Sequence, residues 1–309
     1  MILINVSEDL IVKVYKLDLA NIDIKENNLA LCLGFFDGIH IAHQRIISLA
    51  KNSKHQVGLI SFENIKHEFK VIDNEITPLE DKIEILEKLG VDYFYYFEVD
   101  DKLIHTSKEE FIEILKKFHA YKFFCGSDFT FGYNAEGNAP YLKDNLPTEI
   151  IDLIKDNNIK ISSRDIKNEL LNGNIDRVNT LLGRPYCVNG IIKHGLHNGE
   201  KLGFKTLNID FSNKYPSMKN GVYVVRCYID NKIYEGVSNV GRHPSIAKLN
   251  RPILEIHLLD IDIDLYDKDC KVEFLKFLRE EKEFKDILEL KQAINKNILE
   301  TKEYFKNEK

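Results

Sequence analysis

Short apolar runs alternate with amphipathic stretches over residues 30–165. Positions 30–35, 57–62, 93–97 and 122–125 are almost continuously hydrophobic, as strands buried on both faces must be, and helical spacing fills the intervals between them. The alternation predicts a parallel sheet with crossover helices. Thr77-Pro78-Leu79-Glu80 predicts a helix start with the Thr77 hydroxyl as N-cap, a proline in the first turn and a carboxylate at the third position; Ile83, Leu86 and Leu89 then supply an apolar stripe. Ser107-Lys108-Glu109-Glu110 repeats the capping box ahead of Phe111, Leu115 and Phe118. A further helix is expected to open near Ser162-Ser163 and to stop at Gly173. Past Pro185 the texture changes: 223–228, 233–240 and 253–259 are strand-like, with turn residues and no helix between them. Ile287, Leu290, Ile294 and Ile298 mark a closing helix over about 284–305. The change at Leu182-Gly183-Arg184-Pro185 divides the chain into an α/β domain, 1–182, and a β-rich domain, 183–309.

The length of 309 residues suits two domains, each able to bury its own core. A net charge of -6 gives no electrostatic reason to expect nucleic acid or an anionic membrane as partner. The apolar runs fall short of a membrane span, and the opening residues lack the basic-then-apolar order of a secretory signal, so a cytoplasmic location is expected. The five cysteines, Cys32, Cys125, Cys187, Cys227 and Cys270, form no C-x-x-C pair and read as buried thiols.

Candidate chemistry begins where the first strand runs into Gly34-Phe35-Phe36-Asp37-Gly38-Ile39-His40-Ile41-Ala42-His43. A strand, a glycine-flanked turn and a helix start leave free backbone N–H groups, which together with the helix dipole favour an anion such as phosphate. His40 and His43, three apart, add donors at the same helix end; read without context, a capping turn and a solvated imidazole is the commoner origin of such a pair. A second glycine-rich stretch, His194-Gly195-Leu196-His197-Asn198-Gly199-Glu200-Lys201-Leu202-Gly203-Phe204-Lys205-Thr206-Leu207-Asn208, ends in two oxygen-bearing side chains that a strand would turn to one side. In Leu254-Glu255-Ile256-His257-Leu258 the same alternation sets Glu255 and His257 against Leu254 and Ile256.

The string Gly34 to His43 resembles the G-x-F-D-G-x-H-x-G-H signature of the prokaryotic bifunctional riboflavin kinase/FAD synthetase family, and the likeness continues in order along the chain. Thr77-Pro78-Leu79 with Lys82, Gly126-Ser127-Asp128-Phe129-Thr130-Phe131-Gly132, Ile161-Ser162-Ser163-Arg164-Asp165-Ile166-Lys167, Gly203-Phe204-Lys205-Thr206-Leu207-Asn208, Gly236-Val237-Ser238-Asn239-Val240-Gly241 and Phe277-Leu278-Arg279-Glu280 are each similar to a family motif. Ala42, Arg164, Lys167, Lys205 and Leu207 depart from the family residues, and Asn64-Ile65 replaces a histidine-proline pair.

The resemblance implies a Rossmann-like nucleotidyltransferase domain followed by a riboflavin kinase β-barrel with a C-terminal helix. It implies riboflavin, FMN, FAD and ATP as substrates and products, with Mg²⁺ accompanying ATP. In the first domain it assigns Gly34, Phe35, Asp37, Gly38, Ser162, Ser163 and Lys167 to ATP, His40 and His43 to catalysis, and Asp128, Phe129 and Phe131 to the flavin. In the second it assigns His194, Gly195, Gly203 and Phe204 to ATP, Thr206 and Asn208 to the metal, Glu255 to the general base, and Arg279, at a helix start, to the flavin. The kinase expectation requires Thr206, Asn208 and Glu255 to converge around one divalent ion and the terminal phosphate; a carboxylate on the outside of the barrel, or far from the other two side chains, would overturn it together with most of the flavin reading. A kinase with an idle adenylyltransferase module, or a non-catalytic flavin or nucleotide binder, is compatible with the same motifs.

Overall fold

In the strand Ala30–Leu33, Leu31 and Leu33 join one hydrophobic cluster while Ala30 and Cys32 join another. A strand covered on both faces has to be apolar throughout, and this one is. The computed structural model describes residues 2–3, 12–63, 74–152, 155–156, 159–193, 203–211, 214–241, 253–261 and 265–308. By contacts they divide into two compact units, Met1–Asp73 with Thr77–Ser162, and Asn74–Ile76 with Ser163–Lys309.

The first unit contains β1 (Ile2–Leu3), β2 (Lys13–Leu17), β3 (Ala30–Leu33), β4 (Val57–Glu63), β5 (Tyr93–Glu98), β6 (Lys122–Gly126), the hairpin β7 (Thr130–Phe131) and β8 (Gly137–Asn138), β9 (Thr148–Ile151), and the short pair β10 (Lys155–Asp156) and β11 (Ile159–Lys160). The main sheet has the order β1-β2-β5-β4-β3-β6-β9, parallel except where β1 meets β2. From β3 the winding proceeds outward through β4 and β5 on one side and through β6 and β9 on the other. The carboxyl ends of β3 and β6 therefore flank a topological switch point, where open α/β sheets hold their ligands.

Helices α1 (Ile41–Asn52) and α2 (Leu79–Lys88) cover one face through Ile46, Ile47, Ile83 and Leu86. After the single turn α3 (Asp101–Ile104), α4 (Lys108–Lys116) and α5 (Ala139–Asn145) cover the other through Phe111, Leu115 and Leu142. The capping box expected at Ser107 forms, with Ser107 and Glu110 exchanging hydrogen bonds. The one expected at Thr77 does not. Pro78 takes the cap position of α2, and the Thr77 hydroxyl is spent elsewhere, accepting the backbone N–H of Gly38 at 2.9 Å.

The second unit opens with α6 (Ser163–Asn172), which ends at Gly173 with φ 78°, and α7 (Ile175–Leu182), which ends at Gly183 with φ 67°. Six strands then close a barrel in the order β12-β13-β16-β15-β14-β17. These are β12 (Tyr186–Lys193), β13 (Leu207–Asp210), β14 (Gly221–Ile229), β15 (Lys232–Gly241), β16 (Ile253–Leu258) and β17 (Asp269–Glu280). Phe277-Leu278-Arg279-Glu280, expected at a helix start, forms the end of β17 instead, paired along β14 from Tyr223 to Gly221. The strand continues the apolar alternation of Val272 and Phe274, both fully buried. The last helix, α8 (Ile287–Glu308), begins later than expected. Ile287 is exposed rather than part of the buried stripe, whose inner positions are Asn297, Thr301 and Phe305. No helix among the described residues is long and apolar enough to cross a membrane.

Asn179 of α7 clasps the seam of the barrel. Its Oδ1 accepts the N–H of Tyr186 at 2.7 Å and its Nδ2 donates to the carbonyl of Phe274 at 2.9 Å, and these two residues are register partners across β12 and β17. Asn179→Ala leaves both backbone groups without that partner. It is expected to lower unfolding stability by about 2 kcal/mol, read from urea denaturation; an unchanged midpoint and slope would show that the clasp contributes nothing.

Candidate functional site

Two sites emerge, one in each unit. In the first, the chain leaves β3 through a backbone that only strong anchoring can hold. Phe36 (φ 52°), Gly38 (φ 81°) and Ile39 (φ 39°) all lie at positive φ, a costly conformation for a β-branched residue. Phe36 and Ile39 are fully buried and offset that strain. Polar anchors fix the rest. Ser61 Oγ donates to the Phe35 carbonyl at 2.8 Å, Gln44 Nε2 donates to the Ile39 carbonyl at 2.9 Å, and the buried Asp37 accepts the Thr77 N–H at 3.4 Å. Phe35 is the exposed member of the turn, and Gly34 precedes it at the end of β3.

His40 is the N-cap residue of α1, in extended conformation, and its ring stacks on His43 with centroids 3.7 Å apart. The two imidazoles therefore act at one place, the amino end of a twelve-residue helix. Burial, then His40 and then Lys82, hold the His43 imidazole well below its ordinary pKa, so it is neutral near neutral pH. Its Nδ1 is buried with no hydrogen-bond partner among the described residues. Ala42 is helical and absent from the positive-φ positions, so nothing at that position requires the family's glycine.

Lys82, fully buried on α2, contacts the Glu63 carboxylate at the end of β4, and its ammonium lies 5.6 Å from the Phe35 ring centroid. A buried ion pair is held at a desolvation cost, and removing one partner alone typically costs about 3–5 kcal/mol. Neither member was assigned a role from sequence, although Lys82 stands in the motif that begins at Thr77-Pro78-Leu79. Past β6, Asp128 pairs with Lys160, Phe129 is half-buried, and Phe131 is buried against Phe111 at 5.2 Å. Phe131 thus belongs to the core. Ser162 ends the first unit, while Ser163, the exposed Arg164 and Lys167 lie on α6 in the second.

The second site lies on the wall of the barrel. Register pairing runs Asn208 to Glu255, Glu255 to Asn239, Asn239 to Val222 and Val222 to Arg279 across five adjacent strands. Directly opposed residues point to the same side, so this row shares one face. Leu254 and Ile256 are fully buried, whereas Glu255 and His257 line a cavity with Leu290, Ile294 and Asn297 of α8. The face is therefore the outside of the barrel, contrary to the requirement set from sequence. The requirement was too strict: residues of α8 line this face as well, and Glu255, half-buried, lines a cavity of about 310 Å³ between them.

Thr206 lines the same cavity, and Asn208 is Glu255's neighbour on the next strand without lining it. A hydroxyl just ahead of β13, an amide oxygen on β13 and a carboxylate on β16 are hard-oxygen groups of the kind that suits Mg²⁺. Phe204 also lines the cavity and meets the His257 ring edge-on, while Gly203 has φ 85°. His194 and Gly195 lie outside the described residues. Arg279 lines the cavity from strand β17 and stacks over Phe284 at 5.6 Å. Asn239 donates to Glu281 at 3.3 Å, and a Cβ at Gly241 would lie 1.9 Å from that carboxylate. Glu281 and Asn297 escaped the sequence reading, and Asn239 stood in a quoted motif without a role; for Asn297 the available signal was a polar residue set in the apolar stripe of the last helix.

Comparison with known proteins agrees with this two-part architecture. The family model described as FAD synthetase matches residues 23–165, and the one described as riboflavin kinase matches residues 182–305. A bifunctional riboflavin kinase/FMN adenylyltransferase from Bacillus subtilis is 33% identical over 295 residues, covering 90% of this chain and 92% of the relative. Its counterpart from Escherichia coli is 30% identical, covering 91% and 94%. Among solved structures, a macrolide-efflux protein from Streptococcus pneumoniae superposes with a TM-score of 0.84, covering 94% of this chain and 98% of that one; at 23% identity this shows a shared fold. The chain belongs to the bifunctional riboflavin kinase/FMN adenylyltransferase family.

Proposed function

We propose that this chain makes FMN from riboflavin and ATP on the barrel unit, and FAD from FMN and ATP on the α/β unit. The observation that carries the kinase reading is Glu255 on the wall of a cavity beneath α8, with Thr206 lining the same cavity and Asn208 in register beside it. Glu255 accepts the proton of the riboflavin 5′-hydroxyl as its oxygen attacks the γ-phosphorus and ADP departs. Thr206 and Asn208 would hold Mg²⁺, whose charge offsets that of the phosphates. Gly203, Phe204, His194 and Gly195 are assigned to ATP by their motif, and Arg279 to the flavin.

In the α/β unit an FMN phosphate oxygen attacks the α-phosphorus of ATP and pyrophosphate leaves, with no net proton to move. Catalysis there is positioning and charge stabilisation. Gly34, Phe35, Asp37 and Gly38 shape the turn, and His40 and His43 offer ring N–H donors at a helix amino end. A neutral His43 donates a hydrogen bond without surrendering its proton. Ser162, Ser163 and Lys167 are assigned to the triphosphate by motif, and Asp128 and Phe129 to the flavin. The activities divide at Leu182/Gly183, supported by the end of α7 on a left-handed glycine. Five free cysteines support a cytoplasmic setting.

Supplying riboflavin and Mg-ATP should yield FMN and then FAD. No FMN refutes the kinase assignment, and FMN accumulating without FAD refutes the adenylyltransferase. Glu255→Gln should cut FMN formation at least about a hundredfold while FAD formation from supplied FMN stays within twofold; equal loss of both in a folded variant would contradict two separate sites. His43 should also leave a pH signature. Its pKa is lower folded than unfolded, so below the ordinary imidazole value of about 6.5 the unfolded chain binds a proton that the folded site refuses, and stability falls with falling pH. Proton NMR of His43 should show a neutral ring through pH 6.5, and a midpoint at that value would remove this account of the site.

A further inference from the structure

Asn297 is a buried amide on α8, the helix that roofs the barrel cavity. Its Oδ1 accepts the Arg279 Nε–H at 3.2 Å, while Arg279 Nη1 donates to the Glu280 carbonyl at 3.0 Å. Arginine has five N–H donors in a rigid fork, so the guanidinium is fixed by two and keeps three to offer. Phe284 stacks under the same group at 5.6 Å, which leaves the fork little freedom to turn.

The place of Arg279 in the register row says which end of the reaction it serves. Asn208 is one strand from Glu255 on one side, and Arg279 is three strands away on the other, about 14 Å along the sheet at the usual strand spacing. The metal and triphosphate therefore occupy one side of the base, and the acceptor that carries the hydroxyl extends toward Arg279. Leu290 and Ile294 make the roof over that stretch apolar, as a flat ring system requires.

We propose that Asn297 is a positioning residue of the kinase site, holding the Arg279 fork in the orientation that receives the flavin acceptor from beneath the terminal helix. The inference rests on the kinase reading given above. It makes α8 a working part of the acceptor pocket.

The experiment is steady-state kinetics of the full chain with riboflavin and Mg-ATP, resolving FMN from FAD. Asn297→Leu keeps the side-chain volume and removes the acceptor. The riboflavin KM should rise about tenfold, with the ATP KM, kcat and FAD formation from supplied FMN within twofold of the parent. Asn297→Asp retains an oxygen facing Nε and should restore the riboflavin KM to within threefold. In an Arg279→Ala background, Asn297→Leu should add nothing, because the group it positions is gone. An unchanged riboflavin KM in Asn297→Leu, or losses that simply multiply in the double variant, would overturn the inference. If Asn297→Leu melts early by circular dichroism, Asn297→Ala carries the same expectation. A parent chain that makes no FMN sinks the kinase reading together with this inference; an active parent indifferent to Asn297 substitution sinks this inference alone.

Discussion

Strand register is the constraint on which the proposed kinase site depends. Asn208, Glu255, Asn239 and Arg279 come from four separate strands, and only their pairing level brings them onto one face. A slip of one residue in β16 would turn Glu255 into the barrel and bring Ile256 out to the cavity. That slip is opposed by Leu254 and Ile256, which are fully buried in the correct register and would be stranded in the wrong one. The apolar residues thus place the carboxylate by being placed themselves.

The α/β unit solves a different problem with the same economy of parts. Its turn after β3 holds positive φ at two non-glycine residues, a conformation the chain would leave if nothing else held it. Two buried side chains, a serine from β4 and a threonine ahead of α2 hold it. With the loop fixed from neighbouring elements, the amino end of α1 presents both imidazoles as one stacked pair.

Much of this was legible in the sequence, and the failures have physical causes. The buried strands and the Ser107 box depend on local spacing, and they appear where the spacing puts them. Thr77 carries an equally good local signal, but its hydroxyl is taken by a glycine 39 residues earlier in the chain. The helix start expected at Arg279 was carried over from the motif resemblance; the strand that contains it is twelve residues long and draws its pairing from β12 and β14. Glu255 was found by motif and by alternation, yet alternation alone does not say which side of a barrel is roofed. That depends on α8, whose approach is fixed by Phe305 packing on Val224 and Leu275, a contact no local pattern contains.

The seam that Asn179 clasps joins β12 to β17, the earliest and the latest strand of the barrel. A growing chain therefore has no closed barrel until Glu280 has been synthesised, whereas every strand of the main α/β sheet is complete by Ile151. Early completion of one unit and long-range closure of the other set an order of maturation during translation, with the nucleotidyl-transfer module folding while the phosphorylating module is still an open ribbon.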